Sequence, residues 1–329
     1  ILKAQGKTIV ISEHRLYYLR ELIDRVLYLK DGEIQGDYTA EEFRSIPEEE
    51  RACMGLRPLD LNSLMAAGER RIRTGGSVWQ LKDFTFAYKH HPVVLNIERA
   101  SFPSGSATAV IGQNGAGKST LSRCLCGLER RCRGSVDHEG KEYSRRMRLK
   151  LCYMVMQDVN HQLFTESVMD EILLSMEKED MGKAEEILKK TDLLPLKDCH
   201  PLGLSGGQKQ RVAVASAIAS ERPVILFDEP TSGLDLFHMR QMADVVNRIT
   251  ESGKTVIVVT HDPEFILRCC DHVLHMEAGE VKESYSLKSR EERRRLLGFF
   301  RECTDCREFF SRRSVQSHAA STEPAQTRG

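Results

Sequence analysis

The chain has 329 residues and sets 48 basic against 48 acidic side chains, with 40% apolar and 6% aromatic residues. That length suits about two domains with cores of their own. Zero net charge disfavours a nucleic-acid binder that works through bulk positive charge, and no run approaches the roughly 18 apolar residues of a membrane-spanning helix. The ten cysteines sit singly or in apolar segments, as Cys124, Cys126 and Cys152 do. They read as free thiols of a reducing compartment, not as a disulfide framework.

The chain opens on ILKAQGKTIVISEH. This lacks the basic start and apolar stretch of a secretory signal, and beginning at Ile1 suggests a fragment. Residues 6–34 then repeat as residues 253–281 without a gap: Gly6 matches Gly253, His14 matches His261, Asp24 matches Asp271 and Gly32 matches Gly279, a constant offset of 247. Most other pairs exchange one apolar residue for another. The shared pattern predicts a strand over 8–11, a loop with a histidine, a helix, a strand, a glycine turn and a last strand. An offset this long marks a duplicated domain, not a solenoid unit. Copy one has five residues before Gly6, whereas about 175 precede Gly253 in copy two, so copy one is expected to be truncated.

Residues 35–77 are polar and charged, with Glu48-Glu49-Glu50 and Gly75-Gly76; they read as the end of copy one and a linker. Strand-like FTFAY, ending at Tyr88, begins the new domain. Ala107–Ile111 is a short apolar, β-rich run with the pattern of a buried strand. It leads into Gly112-Gln113-Asn114-Gly115-Ala116-Gly117-Lys118-Ser119-Thr120 and then into helix-forming LSRCLCGL. This is a phosphate-binding loop in its required context of strand, loop and helix. Its glycines let backbone N–H groups converge on phosphate oxygens at a helix N-terminus. Lys118 is placed to reach the β- and γ-phosphates of a nucleotide, and Ser119 to bind Mg²⁺.

Further along, the strand-like LCYMVM precedes Gln157, and Leu163-Phe164 follows in a polar surround. Phe164 either packs inward or marks an interaction surface. Leu173-Leu174 and Ile187-Leu188 read as helix cores. Leu204-Ser205-Gly206-Gly207-Gln208 opens the helical stretch VAVASAIAS, again an anion-binding arrangement. Val224–Phe227 is an apolar strand ending in Asp228-Glu229, where the ligand crevice of an α/β sheet lies. Asp228 suits a Mg²⁺ shell, and Glu229 suits a general base that polarises water. After copy two, the charged stretch from Ser286 reads as a solvated tail with at most a short amphipathic helix over 290–300. Cys303-x-x-Cys306 within it reads as two free thiols, because a closed zinc site needs four ligands.

Phosphate loop, Gln157, LSGGQ, Asp228-Glu229, Ser232-Gly-Leu-Asp235 and His261 follow one another in an order that resembles the ABC ATPase family. The resemblance covers about 78–283, and 1–34 in part. It implies an α/β P-loop NTPase fold with a helical signature subdomain. The implied organisation is a C-terminal remnant of a first ATPase domain over 1–60, a linker over 61–77, a complete second domain over 78–283 and a charged tail over 284–329.

The family's roles carry over residue by residue. Tyr88 resembles the aromatic that stacks on adenine, Gln157 the glutamine that contacts Mg²⁺ and couples to a membrane partner, Asp235 the loop residue that crosses the domain interface, and His261 the switch histidine at the γ-phosphate. Ser205, Gly206, Gly207 and Gln208 would face an ATP held by a different domain. The stretch from Gln157 to Val168 resembles the energy-coupling factor and cobalt-type importer ATPases. That branch implies Mg²⁺ and ATP, a complementary ATPase domain, a transmembrane coupling subunit and a substrate-binding membrane protein. It also implies residence on the cytoplasmic face of the membrane and no nucleic acid. A soluble ABC ATPase acting on ribosomes or nucleic acid is the alternative; its very basic inter-domain arm is not matched by the acidic clusters here.

Overall fold

The structure, a computed structural model, describes residues 2–65, 72–73 and 76–304. Copy one contributes a hairpin of β1 (Arg25–Lys30) and β2 (Glu33–Thr39), followed by the short helices α1 (Ala40–Ser45) and α2 (Glu48–Cys53). Thr39 and Glu42 close a reciprocal capping box on α1, and this fixes Phe43 in a buried position. The predicted strand over 8–11 does not form: Ile9, Val10 and Ile11 are exposed coil, and the predicted helix is a series of turns over 17–22. The equivalent segment of copy two lies between two parallel partners. Among the described residues nothing pairs with 8–11, and a lone strand has no ladder to close. The hairpin survives because its ladder is internal. It repeats even its irregularity: the register shifts between Tyr28 and Leu29 in copy one and between His275 and Met276 in copy two.

The second domain starts with β3 (Val78–Ala87) and β4 (Val93–Pro103), then β5 (Ala107–Ile111) and α3 (Lys118–Leu125). Next come β6 (Arg133–His138), β7 (Lys141–Tyr143), α4 (Arg145–Leu151) and β8 (Cys152–Val155). A helical segment follows with α5 (Val168–Ser175), α6 (Met181–Lys190) and α7 (Gly206–Ala219). The chain returns through β9 (Val224–Asp228), α8 (Leu236–Glu251), β10 (Thr255–Val259), α9 (Pro263–Cys269), β11 (His272–Glu277), β12 (Glu280–Ser286) and α10 (Arg290–Thr304).

The main sheet has the order β12-β11-β5-β10-β9-β8, parallel except for β12. All five residues of β5, β9 and β10 are buried, as a parallel sheet covered on both faces requires. On one face Ala109, Phe227 and Val258 pack against α8 and α9. On the other, Val110, Leu226 and Ile257 meet α3 and an antiparallel sheet ordered β4-β3-β6-β7. From Val212 on, helix α7 is nearly all buried because it is wedged between two cores: Ala213, Val214 and Ala217 face the main sheet, while Val212, Ala215 and Ala219 join the helical cluster with Leu163, Ile172 and Leu188.

Two segments read as peripheral are built in. Helix α10, expected within the solvated tail, buries Leu296, Leu297 and Phe300 in the main core; Cys306 lies outside the described residues. Leu61, at the expected start of the linker, joins the same core, and Leu59 is buried beside it in sequence. Among the described residues no helix is long and apolar enough to cross a membrane.

Candidate functional site

The carboxyl ends of four neighbouring parallel strands carry the candidate residues. Strand β5 runs into Gly112, β10 ends two residues before His261, β9 ends on Asp228, and β8 ends two residues before Gln157. Register aligns Val259 with both Val110 and Asp228, so the loops leave the sheet side by side. This is the crevice where open α/β sheets hold ligands.

The glycines of the loop answer to local sterics. Gly112 sits at φ +151°, and a Cβ there would fall 2.2 Å from the carbonyl of Met276. Gly117 caps α3 at φ +94°, with space for a side chain closed by Leu95 at 2.9 Å. Only glycine supplies both the backbone geometry and the close approach. Gln113, Asn114 and Gly115 are exposed and Ala116 is buried beneath them. Lys118 is buried and donates to the carbonyls of Gly112 and Gln113, each at 2.9 Å. Ser119 Oγ donates to Asp228 Oδ1 at 3.2 Å, which joins the loop to the end of β9. Tyr88 stands over the same helix, its hydroxyl 3.3 Å from Thr120 Oγ1 and its ring partly exposed.

Glu229 follows Asp228 with an unusual backbone, φ +50°, and its amide donates to the carbonyl of Val259 at 2.8 Å. The left-handed turn is uncommon for a residue with a side chain. It directs the carboxylate toward His261, whose Nε2 lies 3.7 Å from Glu229 Oε1. Burial pushes the Glu229 carboxyl up to about 7, against the His261 backbone amide and the charge of Arg15. Burial, aided by Lys118 and Arg15, pushes His261 down to about 4. Near neutrality the pair is therefore a neutral imidazole beside a carboxylate poised to exchange a proton. Asp228 is also raised, by burial, and is held back by Ser119 and Lys118.

The remaining candidates sit at the margins. Ser205 caps α7 in a reciprocal box with Gln208; Gly206 is exposed and Gly207 half-buried. None of their hydrogen bonds among the described residues reaches the phosphate loop. Helix α7 is tied to the site indirectly: Gln210 Nε2 donates to the carbonyl of Pro230 at 2.8 Å, and Lys209 Nζ to Asn160 Oδ1 at 3.0 Å. Gln157 is exposed, and among the described residues no hydrogen bond joins it to Asp228. Asp235 caps α8, accepting from the amide of His238 at 2.8 Å. Leu163 is buried while Phe164 is 72% exposed, which decides between inward packing and an outward surface.

Two arginines escaped sequence reasoning. Arg57, in the end of copy one, is buried and pairs with Asp262, the residue after His261, while donating to the carbonyl of Leu234 at 2.9 Å. Asp262 also accepts from Thr231 Oγ1 at 2.9 Å and caps α9. Arg15 reaches the carbonyl of His261 at 3.4 Å. Both arginines belong to residues 1–60, so that stretch reaches the loops of the site. The sequence offered no signal, because the partners of Arg57 lie 177 and 205 residues away.

Comparison with known proteins agrees with this geometry. The family model described as ABC transporter matches residues 95–232. A Treponema denticola protein named as an ABC transporter ATP-binding protein is 42% identical over 285 residues, covering 85% of this chain and 58% of its own length; the chain thus spans little more than half of that relative. The energy-coupling factor transporter ATP-binding protein EcfA of Carboxydothermus hydrogenoformans is 36% identical over 212 residues, 61% of this chain and 78% of that protein. Among solved structures, cbiO1 of Clostridium perfringens, described as part of the complex cbiONQ, superposes with a TM-score of 0.58 at 26% identity, over 74% of this chain and 98% of that one. The ATP-binding cassette MJ0796, solved as a dimer bound to ADP and Pi, gives 0.56 at 28% identity, over 64% and 99%.

Proposed function

We propose, from the premise that the chain belongs to the family of ABC transporter ATP-binding proteins, that its second domain binds and hydrolyses ATP to drive a membrane importer of the energy-coupling factor type. The observation that carries the reading is the 3.2 Å link from Ser119 to Asp228, with Lys118 on one side and the Glu229–His261 pair on the other. A nucleotide's phosphates fit the loop Gly112–Thr120, where Lys118 can exchange its two carbonyl partners for phosphate oxygens. The Ser119 hydroxyl and the Asp228 carboxylate are hard oxygen donors of the kind Mg²⁺ takes; with Gln157 they would hold the ion, whose charge would offset that of the phosphates. Glu229 accepts the proton of the attacking water, and the neutral His261 holds the carboxylate's position and meets the γ-phosphate. Tyr88 offers its ring face to the adenine.

The signature residues Ser205–Gln208 stand apart from this loop, which supports a head-to-tail pair in which each ATP is held by one domain and capped by another. The common hairpin of β1–β2 and β11–β12 supports reading residues 1–60 as the last elements of a first ATPase domain. If the sandwich is right, ATP hydrolysis per chain should rise with protein concentration and fall away at nanomolar levels; a rate per chain independent of concentration would exclude it.

The energy-coupling reading rests on the Gln157–Val168 stretch, on EcfA and on cbiO1. The exposed Phe164 is its proposed contact with a transmembrane coupling subunit on the cytoplasmic face of the membrane, the transported vitamin or metal ion being recognised by a separate membrane protein. Phe164→Asp should change folding stability by no more than about 0.5 kcal/mol, as exposed substitutions do. It should weaken assembly with the membrane subunit by about 30-fold, the effect of losing an interface anchor. Co-purification from membranes against nucleotide affinity measures the two separately, and intact assembly with lost nucleotide binding would place Phe164 in the core instead.

A further inference from the structure

The exposed ring of Phe164 stands on a buried carboxyl group. Glu171, in the middle of α5, is 3% exposed. One of its oxygens, Oε2, accepts three hydrogen bonds: from the amides of Phe164 and Thr165, each at 3.2 Å, and from Thr165 Oγ1 at 2.8 Å. Thr165 Oγ1 also lies 2.9 Å from the carbonyl of Ser167, at the start of α5. A buried polar group is costly without partners, and here each side supplies what the other lacks. With an apolar residue at 171, two successive amides of the turn would lose their acceptor.

The turn is fixed on its other side as well. Gln162 Oε1 accepts from the amide of Met156 at 3.2 Å. Its Nε2 donates to the carbonyl of Met154 at 2.9 Å and to the Tyr153 hydroxyl at 3.1 Å. These bonds hold Gln162 to β8 and the residue just past its end. Leu163, between the two anchors, is buried in the helical cluster with Ile172 and Leu188. Burying a phenylalanine ring is favourable, yet the anchors on both sides hold the next ring in water.

We propose that Glu171 is a positioning residue for the coupling contact: it holds the Phe164–Thr165 turn in the shape that presents the Phe164 ring to an apolar surface of the transmembrane subunit. The proposal rests on the reading of Phe164 as that contact. A turn already held in its docking shape loses less freedom when it binds, so the same ring binds more tightly than it would on a loose loop. Without the Glu171 acceptor the ring is still present, but its backbone is no longer fixed to α5.

Amide hydrogen exchange on the intact chain, read residue by residue, tests the holding. The Phe164 and Thr165 amides should exchange about 10-fold more slowly than that of the exposed Glu166. Glu171→Ala should abolish the difference, and Glu171→Gln, whose amide oxygen can still accept, should keep most of it. Leu188→Ala removes packing from the same cluster without touching the acceptor, and should leave both amides protected. Binding to proteoliposomes that carry the transmembrane coupling subunit tests the presenting. Glu171→Ala should weaken it by about 10-fold, Phe164→Asp by about 30-fold and Glu171→Gln by less than about 3-fold. Should Glu171→Ala fail to fold, Glu171→Asp, which draws the oxygen back by one methylene, is read in its place with the same expected losses. Rapid exchange of both amides in the parent, or parent-like binding of Glu171→Ala where Phe164→Asp binds weakly, would overturn the positioning role and leave the coupling reading standing. A loss of binding in Leu188→Ala as large as in Glu171→Ala would reduce the effect to packing and overturn it too. Parent-like binding of Phe164→Asp would overturn both the role and the reading beneath it.

Discussion

Glu229→Gln should lower steady-state ATP hydrolysis by about 10²–10⁴-fold, the usual contribution of a general base, while ATP affinity stays within a factor of about two to three. The amide keeps the shape and the buried site but cannot take a proton. The pH profile gives an independent check. Burial raises the Glu229 carboxyl to about 7, so it is protonated and inactive as a base below that point and ionised above it. In the free enzyme kcat/KM should therefore climb between about pH 6 and 8, and this limb should vanish in the variant. His261 titrates near 4 and stays neutral throughout, so it adds no limb in this window. Parent-like turnover in Glu229→Gln would remove the residue from the chemistry.

Arg57→Ala is expected to have a large effect on stability. The substitution leaves Asp262 buried beside Thr231 without its cation. Breaking a buried, hydrogen-bonded ion pair costs about 3–5 kcal/mol, which corresponds to a fall in Tm on the order of 10 °C. The loss falls on two loops together, because Arg57 holds both Asp262, next to His261, and the carbonyl of Leu234, next to Asp235. Gly55 adds a third tie by accepting from the amide of Leu236 at 3.2 Å. Hydrolysis should thus fall further than ATP affinity. Removing both charges in Arg57→Met with Asp262→Asn should recover much of the stability, but not the tie to Leu234. Thermal melts and the split between kcat and KM read these effects; a Tm within about 1 °C of the parent would show that the pair is not what holds the loops.

These contacts give the first copy a physical role in the second domain. Its hairpin closes its own ladder, yet its final residues are built into the loops of the nucleotide site. Arg15 approaches the same loops from the other side of the copy, through the carbonyl of His261. Segment 8–11 stays exposed, and the tie runs through the two arginines, Gly55 and the packing of Tyr17 and Ala52 on the main core, not through a shared sheet.

What the sequence determined by itself is the set of local motifs and their order. Gly112, Gly117 and Lys118 were legible because a phosphate loop is made within nine consecutive residues by backbone conformation, and glycine at those places has a steric cause. Asp228 and Glu229 were legible because an apolar strand must end somewhere, and carboxylates at that end face the crevice. The duplication was legible as repeated text, and the hairpin with its repeated bulge followed it because a hairpin closes its own ladder. Tertiary structure alone decided whether Thr8–Ile11 is a strand. The same pattern of apolar residues is a fully buried strand at Thr255–Val258 and coil in copy one, since a parallel strand exists only between neighbours. It also decided that α10 packs as core and not as tail, and that Arg57 holds two loops. Each of these depends on which distant segments come to lie side by side, and one chain's periodicity carries no record of a partner 205 residues away.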